Sequence, residues 1–222
     1  GSAILSELRN FKVFTFDRNT GDNNHFQGNI SSVNDLINAM KNIDIVINLV
    51  GLSPLKKPKI PYNKVHVEGV KNIIKACKLS KIKKLIHVSV LGADKNSTIE
   101  YMRTKGIGEE LVLKSGLNVN VFCPSVIYDN ESELIKMFEK SSFILSFPNI
   151  TARIQPIYRK DIAKLFALAV KNRIMERKFE AAGPNIFTIF EIAKKVYNKK
   201  GLLCIPIPLF LVVPLMYMAS IF

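Results

Sequence analysis

Residues 44–51 read DIVINLVG, an apolar run that begins after Asp44 and ends in Gly51. Strands of this kind, apolar on both faces, belong to the interior of a parallel sheet that helices cover from both sides. The same signature recurs downstream. After a loop with three prolines (SPLKKPKIPY, 53–62), KVHVEGVKNIIKACKLS (64–80) predicts a helix with Val67, Val70, Ile73, Ile74 and Cys77 on one stripe. KKLIHVSVLGA (83–93) follows as a strand, IEYMRTKGIGEELVLKSG (99–116) as a helix, and NVNVFCPSVIY (118–128) as a strand closing on a proline turn. ARIQPIYRKDIAKLFALAV (152–170) then reads as a short strand, a turn and a helix. Strands and helices that alternate with short connections predict an α/β, doubly wound parallel sheet with helices on both faces. A smaller, mixed C-terminal region is expected from about Val126, so the domains are read as 1–125 and 126–222.

Upstream of residue 44, SSVNDLINAM (31–40) predicts a helix capped by Ser32 with Asp35 in its first turn, preceded by a polar loop, Asn19 to Asn29. Before that loop, Lys12 to Phe16 reads as a short buried strand ending in Asp17, and Ser2 to Leu8 as a helix. Helix, strand, acid is the order that, in a dinucleotide-binding fold, follows a first strand and a glycine-rich phosphate loop. Of that loop the chain holds at most the final glycine, Gly1. In this fold the first strand lies in the middle of the sheet, and its neighbours would be left with bare edges without it. The expectation is therefore a Rossmann-type sheet lacking its first strand and phosphate loop here, with both upstream in the natural protein.

The 222 residues suffice for one domain, or one with a small appendage, and 48% apolar residues make it globular. Cys77, Cys123 and Cys204 stand far apart, a spacing that points to neither a disulfide framework nor a zinc site, and no metal is expected. Lys+Arg of 32 against Asp+Glu of 18 gives a net charge of +14. Most lysines fall singly on helix faces without interleaved aromatics, as solvated faces do, so nucleic acid is not an expected partner. From Leu202 to Phe222 there is no charge, but Pro206, Pro208 and Pro214 interrupt the run. Only residues 209–222 follow Pro208, too few to cross about 30 Å as one helix. The tail is read as an apolar helix that docks on a partner or lies at a membrane surface.

The sharpest chemical constellation is YMRTK, in which Tyr101 and Lys105 at i, i+4 share a helix face. A neighbouring cation favours a phenolate, so Lys105 is expected to lower the pKa of Tyr101 and to reach a cofactor ribose. The pair follows a strand ending in Ser89, which follows one ending at Gly51, which follows Asp17. His87, inside an apolar strand, is expected to be a satisfied core residue, and His25 a solvated one in a loop. Asp161 and the T-x-x-E pattern of Thr188 and Glu191 are read as helix starts.

That order of motifs resembles the extended and atypical short-chain dehydrogenase/reductase superfamily, the NAD(P)-dependent epimerase/dehydratase type, over nearly the full length. Within it the chain is similar to the nucleotide-binding accessory subunits of respiratory complex I and their bacterial relatives. The matching stretches are INLVG (47–51), VHVEG (65–69), HVSVLGAD (87–94), YMRTKGIGEELV (101–112), CPSVIYD (123–129), IQPIYRKDIA (154–163) and AAGPNIFTIFEI (181–192). The resemblance implies NAD or NADP as cofactor, with Asp17 placed to accept from a ribose 2′-OH and Arg18 beside it to hold a 2′-phosphate, so the choice stays open. It puts Gly1 at the end of the phosphate loop, Asn29 and Ile30 beside the adenine, Leu49, Val50 and Gly51 beneath the cofactor, and Pro124 and Ser125 toward the nicotinamide. In an active member Tyr101, Lys105 and Ser89 would be catalytic.

Three departures weigh against turnover. Active members carry Ser or Thr at the place of Val90, commonly Arg at the place of Cys123, and commonly Asn at the place of His66. The implied function is a non-catalytic nucleotide-binding subunit of complex I. It would sit peripherally on the inner membrane, on the cytoplasmic side in a bacterium or the matrix side in a mitochondrion, touching other subunits and, through its tail, lipid. The alternative is an active epimerase, dehydratase or reductase on a nucleotide-sugar or similar carbonyl substrate.

Overall fold

The structure is a computed structural model and describes residues 1–19, 21, 24–144 and 146–208. The chain forms two compact units: Gly1–Pro124 with Lys160–Ala181, and Ser125–Arg159 with the residues from Ala182 on. The chain leaves the first unit after Pro124 and returns to it for Lys160–Ala181.

The first unit begins with helix α1 (Ser2–Glu7), strands β1 (Thr15–Asp17) and β2 (His25–Gln27), helix α2 (Val33–Ala39) and strand β3 (Ile45–Asn48). A π-helical stretch, Lys64–Gly69, leads into α3 (Val70–Leu79), followed by β4 (Lys84–Val88), α4 (Glu100–Leu113) and β5 (Val119–Pro124). Strands β3, β4 and β5 are parallel neighbours in that order, and β1 pairs in parallel with β2 as a separate pair. Strands β1 and β3 belong to separate sheets.

Strand β5 shows why helices cover both faces. Its successive side chains alternate. Val119, Val121 and Cys123 join Leu85 of β4, Leu36 and Met40 of the α2 region, Val70, Ile73, Ala76 and Cys77 of α3, and Val112 of α4 in one core. Phe122 faces the other way, onto Phe166 of α6 (Arg159–Val170), with ring centroids 4.6 Å apart. On that side Lys84 is buried and donates from Nζ to the Ala169 carbonyl at 2.7 Å, tying the strand to the end of α6.

The second unit holds β6 (Ile127–Tyr128), α5 (Glu133–Ser141), β7 (Ser146–Pro148), β8 (Arg153–Ile154) and β9 (Ile157–Tyr158). After α6, strand β10 (Lys178–Ala181) completes the first unit's sheet in the order β10-β5-β4-β3. Strand β11 (Phe187–Thr188), α7 (Ile189–Lys199) and β12 (Ile205–Ile207) complete the second unit. Leu134 and Phe138 of α5 pack with Ile192, Ala193 and Val196 of α7. Thr188 and Glu191 form the expected capping box, Thr188 N–H to Glu191 Oε2 at 2.7 Å and Glu191 N–H to Thr188 Oγ1 at 3.1 Å.

Three expectations need correction. The loop of residues 19–29 contains strand β2, and His25 is not solvated: its ring lies 2.7 Å from both Thr15 Oγ1 and the Asn19 carbonyl, fastening β1 to β2. The apolar tail begins as a strand rather than a helix, because β12 pairs in parallel with β7; Pro206, which has no N–H to give, is tolerated at an edge of this kind. The rest of the tail, residues 209–222, lies outside the described residues, among which no helix is long and apolar enough to cross a membrane.

Candidate functional site

The carboxyl ends of parallel strands are where open α/β sheets bind ligands, and every candidate residue on a strand in the first unit falls there. Asp17 ends β1, Asn29 and Ile30 follow β2, Leu49 to Gly51 follow β3, Ser89 follows β4, and Pro124 ends β5. Ser125 opens the second unit and is buried. Leu49 and Val50 are exposed apolar residues at the strand end.

Helix α4 brings the titratable groups to that edge. Tyr101, Lys105 and Glu109 lie one turn apart on its inward face. The helix can sit so close because its K-G-I-G segment has no side chain at two places: a Cβ on Gly106 would run into the backbone of Asp94 and Lys95, and one on Gly108 into the His66 carbonyl oxygen. Lys105 is buried, and its Nζ donates to the Val88 carbonyl at 2.6 Å, next to Ser89. Burial lowers its pKa to about 8 against the opposing pull of Cys123 and Glu109. Gly51 lies alongside: a Cβ there would stand 3.8 Å from both Lys105 Nζ and His66 Nε2, so the missing side chain keeps that ammonium approachable.

Tyr101 does not behave as the i, i+4 spacing predicts. Burial, and Tyr62 beside it, raise the phenol pKa. The side chain is packed against rings, its centroid 5.6 Å from Tyr62 and 5.7 Å from His66 in edge-on arrangements. The expected activation of the phenol by Lys105 is thus replaced by desolvation, which keeps the phenol protonated at neutral pH. Val90, the residue after Ser89, supplies no side-chain donor.

On the adenosine side the candidates are held by local structure. Asp17 Oδ1 accepts from Asn19 N–H at 2.6 Å, and the Asp17 carbonyl accepts from Gly28 N–H at 2.8 Å. Asn29 caps its own turn through Ser31 N–H at 3.0 Å, and Ile30 packs beside Gly69 while its carbonyl accepts from Asn72 Nδ2 at 3.0 Å. Asp17 and Arg18 are exposed. Gly1 is the N-cap of α1, and its carbonyl accepts from Ile4 N–H at 3.0 Å.

Four participants were not singled out as site residues from sequence. His66 Nε2 accepts from Leu52 N–H at 3.0 Å, and its Nδ1 is 3.0 Å from Thr104 Oγ1. Asn48 Nδ2 is 2.9 Å from His87 Nδ1, the satisfied core histidine that was expected, and Asn48 Oδ1 accepts from Val50 N–H at 3.0 Å. Glu109 is buried, with Lys178 Nζ at 2.6 Å from Oε1 and Cys123 Sγ donating to Oε2 at 3.3 Å. Glu109 carried a signal in the sequence through its i+4 spacing from Lys105, and His66 through its departure from the expected asparagine. Burial, followed by Glu109, pushes the Cys123 thiol up to about 12, which removes it as a nucleophile. Among the described residues no cluster has the makings of a metal site.

These residues fit a nicotinamide nucleotide. Exposed apolar residues at the strand end suit a flat ring, and the Lys105 ammonium, with one proton engaged at Val88, has donors for a ribose. When bound, the cofactor supplies hydride chemistry; the chain's own residues supply orientation.

A sequence model described as NAD(P)H-binding matches residues 9–173. Among curated proteins, NADH dehydrogenase [ubiquinone] 1 alpha subcomplex subunit 9 of Rattus norvegicus is 27% identical over 176 residues, 77% of this chain and 46% of the relative. The NADH-ubiquinone oxidoreductase 40 kDa subunit of Neurospora crassa is 27% identical over 160 residues, 71% of this chain and 42% of the relative. The chain thus spans less than half the length of these relatives. Among solved structures, UDP-N-acetylglucosamine 4-epimerase of Bacillus cereus shares the fold with a TM-score of 0.75 at 19% identity, covering 94% of this chain and 81% of its own. UDP-glucose 4-epimerase of Thermus thermophilus, in complex with NAD, does so at 0.73 and 17% identity, covering 94% and 83%.

Proposed function

The chain belongs to the NAD(P)H-binding family, and from that premise we propose that it is a nucleotide-binding, non-catalytic accessory subunit of respiratory complex I. The observation that carries the reading is the state of Tyr101: a phenol raised by burial, with valine at position 90, is a poor acid/base but a sound wall for a bound nucleotide. The similarity to complex I subunits of rat and Neurospora supplies the partner. Lys105 would hold the nicotinamide ribose, Gly51, Leu49 and Val50 the cofactor's underside, and Pro124 and Ser125 its far edge. Gly1, Asn29 and Ile30 would border the phosphates and adenine. Asp17 and Arg18 would choose between a free 2′-OH and a 2′-phosphate, and so between NAD and NADP.

The chain would sit peripherally on the inner membrane, facing the matrix in a mitochondrion or the cytoplasm in a bacterium, with its apolar tail on neighbouring subunits or lipid. A second reading, an active reductase or epimerase, is favoured by the i, i+4 placement of Tyr101 and Lys105, with Ser89 nearby at the strand end. Release of nucleotide from the purified protein with organic solvent at neutral pH, followed by mass spectrometry, tests the first reading. It predicts NADPH or NADH in near-stoichiometric amount, and no oxidoreductase rate that Tyr101→Phe abolishes. A rate abolished by that change would establish the enzyme instead.

A further inference from the structure

His66 is buried in a π-helical stretch, Lys64–Gly69, at the edge where the nucleotide would lie. Such stretches are rare and concentrate at functional positions. The hydrogen bonds around its ring have a fixed direction. Leu52 N–H can only donate, so Nε2, 3.0 Å away, is the unprotonated nitrogen. Nδ1 therefore carries the proton and donates to Thr104 Oγ1 at 3.0 Å, and the Thr104 hydroxyl in turn donates to the Tyr101 carbonyl at 3.2 Å. One ring thereby fastens the loop after β3, which contains Leu49, Val50 and Gly51, to the turn of α4 that carries Tyr101 and leads to Lys105. Tyr62 closes the arrangement, its ring 5.4 Å from His66 and its hydroxyl donating to the Ser53 carbonyl at 3.2 Å.

We propose that His66 is a positioning residue of the nucleotide site, its Nδ1–H imidazole locking the loop after β3 to α4 so that Gly51 and Lys105 present one preformed surface to the cofactor. The proposal rests on the nucleotide-binding reading. An asparagine side chain reaches about as far as Nδ1, a glutamine about as far as Nε2; the imidazole spans both partners at once. Preorganisation of this kind acts on affinity by removing the cost of ordering the loop at the moment of binding.

The experiment compares wild type, His66→Phe and His66→Gln in the purified protein. His66→Phe keeps an aromatic ring between Tyr62 and Tyr101 but removes both hydrogen bonds; His66→Gln keeps an acceptor for Leu52 N–H. Titration with NADPH and with NADH should show about tenfold weaker binding for His66→Phe, the scale of the hydrogen bond to Leu52 N–H that His66→Gln retains, and within about threefold of wild type for His66→Gln. Nitrogen-15 shifts of the wild-type ring should show a protonated Nδ1, and the Leu52 amide should exchange faster in His66→Phe than in the other two proteins. A wild type that binds neither nucleotide overturns the functional reading, and this role with it. A wild type that binds, alongside a His66→Phe that binds equally well, overturns the positioning role alone, as does a proton found on Nε2. If His66→Phe fails to fold, the ring shifts of wild type decide: a proton on Nε2 overturns the proposal, and one on Nδ1 upholds it.

Discussion

Replacing Lys105 by methionine should stabilise the protein while weakening its hold on nucleotide. Lys105 is 7% exposed, and its pKa is lowered to about 8 from 10.5, with burial the dominant cause. A shift of that size means that at pH 7 the charged form costs the fold about 3 kcal/mol relative to a neutral amine, at about 1.4 kcal/mol per unit. Methionine fills a similar volume without charge but forfeits the bond to the Val88 carbonyl, which offsets about 1 kcal/mol. The net expectation is a gain of about 2 kcal/mol, or roughly 5 °C in Tm for a chain of this size. The sign can be checked against pH. Between pH 8 and 10.5 the unfolded chain holds a proton on Lys105 that the fold has released, so wild-type stability rises through that window and the advantage of Lys105→Met shrinks. Urea unfolding at pH 7, 9 and 10.5 on both proteins, with NADPH titration at pH 7, measures all of it. A Lys105→Met protein destabilised by more than about 1 kcal/mol at pH 7, a small fraction of typical stability, would show that the lysine is there for the fold and refute the reasoning.

Acid should act through the histidines. Burial and Lys105 lower His66 to about 4 and His87 to about 3 from 6.5, so as pH falls from 6.5 to 4 the unfolded chain takes up protons the fold refuses, and stability drops by about 3 kcal/mol through His66 alone. The drop in urea midpoint across that window should be smaller in His66→Gln than in wild type. Gly108→Ala drives a methyl group into the backbone carbonyl of His66, and should cost about 3 kcal/mol or leave the protein insoluble; a thermal midpoint within about 2 °C of wild type, well under the shift expected for that cost, would contradict the close approach of α4. Thr188→Ala removes one arm of the capping box and should lower stability by about 1 kcal/mol, read from thermal unfolding, with no change in nucleotide affinity.

Much of the first unit's sheet was legible because DIVINLV, KLIHV and VNVFCP are apolar on both faces, and only a covered parallel sheet needs such strands. Strands β2 and β10 were not. HFQ and KFEA are short and carry polar or charged side chains, and each pairs with a single neighbouring strand, so tertiary pairing rather than composition makes them strands. The Tyr101–Lys105 pair was legible as spacing, because four residues along a helix fix a shared face. What the spacing could not give was the environment: the aromatic packing that desolvates Tyr101 comes from Tyr62 and His66, more than 30 residues upstream, and desolvation turned the expected downward shift into an upward one. His66 itself was visible only as a departure from the family's asparagine, since its partners Leu52 and Thr104 come from a loop and a helix that only the fold brings together.

The central claim is best tested by the native size of the endogenous protein in gently solubilised membranes, read on a native gel with an antibody beside an in-gel NADH dehydrogenase stain. A nucleotide-binding accessory subunit predicts co-migration with a very large, NADH-oxidising assembly. Migration as a free monomer or dimer away from that activity would contradict it and make an independent enzyme the better account.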